Sequence, residues 1–121
     1  MTLPSVDNIE PLQLPENGSH EVEIVHASAF TSQKGRPCLR LMLQLPGEED
    51  VDDVSTVVFY PADDDDPKQH KKMASGVKKF YRSFGLSDGM DPDDMIGARG
   101  TARIKRVEKE GEEQADVKGF E

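Results

Sequence analysis

The clearest periodicity in the chain is a two-residue alternation. Leu39, Leu41, Leu43 and Leu45 alternate with Cys38, Arg40, Met42 and Gln44. One face of an extended segment is therefore aliphatic, and the other carries Arg40. A second β-rich run lies upstream, from about His20 to Phe30, with Val22, Ile24 and Val25. Its apolar parity slips between Val22/Ile24 and Ala27/Ala29, which predicts a bulge or a strong bend. Between these runs, Thr31 to Pro37 reads as a turn around Gly35. Pro46-Gly47 ends the leucine strand, and Val54 to Tyr60 forms a third run that is apolar on both faces.

The period then changes. Met73, Val77, Phe80, Tyr81 and Phe84 recur at helical spacing. Asp66 stands as N-cap, Pro67 occupies the first helical position, and Gly85 follows the last turn. These signals predict a helix over 67–84, with aspartates at its positive end and Arg82 near its negative end. Asp91-Pro92-Asp93-Asp94 repeats the same start, but Gly97 stops it early. Ala98 to Val107 reads as a fourth strand, Glu110-Gly111 as a hairpin turn, and Glu113 to Phe120 as a fifth strand. Residues 1–19, with Pro4, Pro11, Pro15 and Asn17-Gly18, read as an extended arm ahead of one domain at 20–121. Three strands, a helix and two strands is the order of a five-stranded OB barrel, a mainly β fold. Met73, Val77, Phe80 and Phe84 would then close one end of it.

Composition narrows the function. In a chain of 121 residues, 35% hydrophobic content supports one small core. No stretch approaches the roughly 18 apolar residues of a membrane span. Met1-Thr2-Leu3-Pro4 lacks the basic start and apolar run of a secretory leader. The single Cys38 excludes an internal disulfide, and the expected setting is the reducing cytoplasm.

Charge complicates the picture. Twenty-four acids against fifteen Lys and Arg give a net charge of -9, which opposes indiscriminate binding of phosphates. Most of the acids fall in short loop-like segments: Glu48 to Asp53, Asp63 to Asp66, Asp88 to Asp94, and Glu108 to Asp116. The bases sit instead within periodic segments, so a local positive face is compatible with an acidic whole. His20, His26 and His70 have no paired spacing, the aspartate runs lack the calcium-loop pattern, and no phosphate loop occurs. No cofactor, metal or catalytic constellation is expected.

The runs Gly18-Ser-His-Glu-Val-Glu-Ile-Val25 and Lys34-Gly-Arg-Pro-Cys-Leu-Arg-Leu-Met-Leu43 resemble a family of small phage-encoded proteins, regarded as OB-fold single-stranded DNA-binding proteins. The resemblance continues through Lys79-Phe-Tyr-Arg-Ser-Phe-Gly-Leu86, Asp94-Met-Ile-Gly-Ala-Arg-Gly100 and Val117-Lys-Gly-Phe120. It implies a non-catalytic role in phage replication or recombination, in the host cytoplasm, with single-stranded DNA or RNA and replication or recombination proteins as partners.

OB folds bind across strands 2 and 3, flanked by the loops between strands 1–2 and 4–5. That geometry selects Lys34 and Arg36 in the first loop and Arg40 on strand 2. On strand 4 it selects Arg99, Arg103 and Lys105, which share a parity opposite Ala98, Ala102 and Ile104. Tyr60 is the expected stacking ring from strand 3, with Phe59 the choice on the opposite parity. The helix lysines read as a solvated face away from this groove. Some of these cations also have an ordinary reading: Arg40 suits any solvated strand face, and Arg103 and Lys105 suit an edge strand, where charges deter sheet-to-sheet pairing. The competing function is an acidic protein-interaction module on the same barrel, binding a basic partner or imitating DNA. The fifth strand offers an edge for a homodimer.

Overall fold

The alternating leucines fill the interior. Leu39, Leu41, Leu43 and Leu45 are at most 3% exposed, while Arg40 and Gln44 are exposed. They belong to β2 (Pro37–Gln44) and its exit. In the computed structural model, which describes all 121 residues, β2 is flanked by β1 (Gly18–Thr31) and β3 (Val54–Phe59). The remaining elements are α1 (Pro67–Phe84), a single-turn α2 (Pro92–Met95), β4 (Arg99–Lys109) and β5 (Glu112–Phe120). All five strands join one antiparallel sheet in the order β3-β2-β1-β4-β5.

β1 serves two neighbours. Gly18 to Glu23 pairs with β4, and Glu23 to Thr31 pairs with β2. The register shifts between Ile24 and His26, where the apolar parity slips. The extra residue bends the strand and turns one half of the sheet over the other. Val22, Ile24 and Ala27 thereby stay buried on both sides of the shift.

α1 closes one side of the core. Asp66 accepts a 2.8 Å hydrogen bond from the Gln69 amide, and Gly85, at φ 65°, donates its amide to the Tyr81 carbonyl. The left-handed conformation there suits glycine. Phe80, fully buried, packs 5.2 Å from Phe84 and 5.0 Å from Phe120 between ring centroids, in tilted geometry. The Phe84 ring lies on the backbone of Gly100 in β4, where a β-carbon would sit only 2.6–2.8 Å from ring atoms. The β4–β5 hairpin turns through Glu110 and Gly111, both at positive φ, the primed geometry that matches strand twist.

The sheet does not close into a hydrogen-bonded barrel. β3 and β5 are its two edges; they approach each other but share no ladder. The β5 edge is irregular here, because its register with β4 shifts between Arg103 and Ile104 and leaves Lys118 as an extra residue. Such a bulge interrupts the even spacing of donors and acceptors that a ladder requires.

The N-terminal arm is tied down over its second half. Gln13 bridges Val51, and Pro15 is buried. The Arg106 guanidinium donates to the carbonyls of Leu14 and Pro15 at 2.8 and 2.9 Å, and the Arg106 amide donates to Asn17 Oδ1 at 2.7 Å. Before Gln13, Leu3, Val6, Ile9 and Leu12 are exposed. No helix is long and apolar enough to cross a membrane.

Candidate nucleic-acid interface

Antiparallel register places directly paired residues on one face. On the outward face, Phe30 of β1, Cys38 of β2 and Phe59 of β3 form one row. Ser28, Arg40 and Val57 form the next, and His26, Met42 and Ser55 the third. The Arg40 guanidinium lies 4.7 Å from the Phe30 ring centroid, a cation–π contact that holds the charge in place. Phe59 is 52% exposed. Cys38, between the two rings, is buried and donates its thiol to the Arg36 carbonyl at 3.5 Å. The face thus holds an aromatic ring on either side of Cys38, with Arg40 against the Phe30 ring.

Tyr60, the ring expected to face outward, does not join this face. Its amide donates to the Pro37 carbonyl, and its hydroxyl lies 2.7 Å from the Tyr81 hydroxyl. Its ring packs against the core. Burial, reinforced by the Tyr81 hydrogen bond, pushes its ionisation well above the usual tyrosine range. The opposite parity holds, and Phe59 points outward. Ser55, the most polar residue of β3, shares that parity and is the sequence signal for it. Phe30 carries a similar signal, since Ser28 marks the outward parity of β1 after its bend.

Arg36 is also committed elsewhere. It grips Asp65 through two hydrogen bonds of 2.6 and 3.1 Å and donates to the Tyr60 carbonyl at 2.8 Å. The Arg36 hydrogen bonds, with help from the Ala62 amide, hold the Asp65 carboxyl below the usual carboxylate range. Arg36 is raised in turn, first by its hydrogen bond to Asp65. The pair pins the β1–β2 turn to the segment before α1. Lys34 stays exposed beside it and, with Phe59, Asp64 and Asp65, lines a depression.

Of the strand-4 cations, Arg103 lines a cleft with Val57 and Phe59 of β3 that Arg40 does not line. Arg40 stands opposite Ser28 of β1, whereas Arg103 stands opposite Ser19. Ser19 and Ser28 are nine positions apart, about 30 Å of chain along a strand that bends between them. Arg99 is engaged by Glu23 at 2.9 Å and Glu21 at 3.7 Å. Lys105 is exposed opposite Asp116. Arg103 instead turns toward the seam between β3 and β5, where α1 contributes Lys72 and Lys79 to the same lining. The helix lysines expected to face away therefore share a surface with a strand-4 arginine, because the open seam lies directly over α1.

No group of three or more His, Cys, Asp or Glu side chains is arranged to hold a metal ion. The Arg40 face offers what a nucleobase and its phosphate require: flat apolar rings, and a positive charge beside them. No protein-family model matches the chain, and no curated protein matches its sequence.

Proposed function

We propose that this protein is a non-catalytic single-stranded DNA-binding module on an incompletely closed OB-type barrel, acting in phage replication or recombination. The observation that carries the reading is the outward row of Phe30 and Phe59 with Arg40 beside it. The element order, with α1 between β3 and β4, supports the OB assignment. Bases stack on Phe59, Arg40 neutralises a phosphate, and Lys34 extends the positive track. Stacking accepts every base, so recognition is largely independent of sequence. RNA would satisfy the same contacts.

Fluorescence anisotropy with labelled oligo-dT across a salt series tests this. Arg40→Gln removes one phosphate contact and flattens the log–log salt slope by about 0.7. Phe59→Ala removes stacking worth about 1–3 kcal/mol, a loss of about 5- to 150-fold, with the slope unchanged. No binding at any salt refutes the proposal, and so does binding that ignores salt. The acidic-module reading draws on the carboxylates that engage Arg36 and Arg99. It gains if the chain binds a basic polypeptide and no oligonucleotide.

A further inference from the structure

Four cations of this acidic chain line one cleft at the margin of the stacking face. A cleft of about 420 Å³ runs along the seam between β3 and β5, floored by α1. Lys72 and Lys79 of α1, Arg103 of β4 and Lys118 of β5 line it, and no Asp or Glu does. Arg103 and Lys118 have only long carboxylate contacts, 4.0 Å to Glu121 and 3.8 Å to Asp116. Lys72 and Lys79 pair with none. These two lysines stand two turns apart on one helix face, about 10 Å along its axis, and offer charge to successive phosphates of a strand that crosses it.

Two glycines shape the cleft. Gly119 of β5 lies under Arg103: a β-carbon there would stand 3.1 Å from Nη2. Its bare backbone lets the guanidinium lie across the strand toward the seam. Gly76 occupies the α1 face between Lys72 and Lys79 and lines the same cleft. Glycine inside a helix is unfavourable relative to alanine. Packing does not require it, since a β-carbon at Gly76 would meet no atom within 4 Å, and its φ is not positive. What its absent side chain leaves is room over the helix backbone, between two unpaired lysines. Phe59 lines both this cleft and the depression beside Lys34, so the two surfaces meet at its ring.

We propose that the β3–β5 seam is a second binding site, a phosphate channel for the backbone of a single-stranded polynucleotide that leaves the stacking face past Phe59 and crosses α1 over Gly76. This rests on the function proposed above. The strand would contact Lys72 and Lys79 in succession, with Arg103 and Lys118 on the opposite wall.

The test uses the full chain and oligo-dT of increasing length across a salt series. Lys72→Gln with Lys79→Gln should flatten the salt slope by about 1.4, for long oligonucleotides and not for those too short to leave the stacking face. Gly76→Leu should weaken binding of long oligonucleotides at least tenfold while its melting temperature matches or exceeds wild type, because leucine is the better helix former. That combination separates a blocked channel from a damaged fold. If both variants keep wild-type slope and affinity while Phe59→Ala and Arg40→Gln lose binding, the channel is refuted and the stacking face stands. Wild type that binds no oligonucleotide at any salt overturns both.

Discussion

Gly100→Ala adds one methyl group at the glycine where a β-carbon has the least room. The new β-carbon would stand 2.6, 2.7 and 2.8 Å from three atoms of the Phe84 ring, where ordinary contact begins at 3.4 Å. The ring must therefore retreat by about 0.8 Å at its nearest atom, the difference between 3.4 and 2.6 Å. It has little room, being 5% exposed and held by Phe80 at 5.2 Å and Phe120 at 5.6 Å. Overpacking of this kind costs about 1–3 kcal/mol. Reduced freedom of the unfolded chain returns about 0.4–1 kcal/mol. From the midpoints of these ranges the net expectation is a loss of about 1.3 kcal/mol, or about 5 °C in melting temperature for a domain of this size. Urea denaturation should show a lower midpoint with unchanged m. Phe84→Leu removes the ring, so in the double variant the alanine should cost less, with a coupling of at least about 0.5 kcal/mol. A Gly100→Ala protein as stable as wild type, or a strictly additive double variant, would refute the packing of α1 on β4. The position of Lys72 and Lys79 beside the seam depends on that packing.

Two further expectations concern the residues that left the site. Asp65, held below its ordinary value by Arg36, contributes stability that is fully present above about pH 3.9 and is lost as pH falls through its depressed folded value. The stability gap between wild type and Asp65→Asn, from urea melts, should therefore be open at neutral pH and shrink below about pH 4; a constant gap would remove the ion pair as its cause. Tyr60→Phe deletes the hydrogen bond to Tyr81 and should cost about 0.5–1.5 kcal/mol with oligonucleotide affinity unchanged. A binding loss comparable to that of Phe59→Ala would return Tyr60 to the interface.

The legible part of this protein is local. The leucine alternation of β2, the Asp66-Pro67 start and Gly85 stop of α1, and the Glu110-Gly111 hairpin each lie in contiguous residues, whose backbone preferences and periodicity act over a few positions. The slip of parity in β1 likewise announced its bend. β3 is where local information ran short. With apolar side chains on both its faces, only the parity of Ser55 distinguished Phe59 from Tyr60, until register with β2 and the reach of Tyr60 to Tyr81 separated them.

The availability of each cation is a different kind of property. Arg36 is consumed by a carboxylate 29 residues away and Arg99 by one 76 residues away, while Lys72 and Lys79 stay unpaired over a seam created by the imperfect meeting of two sheet edges. Side-chain type and spacing settle which segments become strands and helix, because those preferences are short-ranged. Coulomb energy depends on distance in space and on burial, so only the folded chain decides which of its charges remain free to meet a ligand.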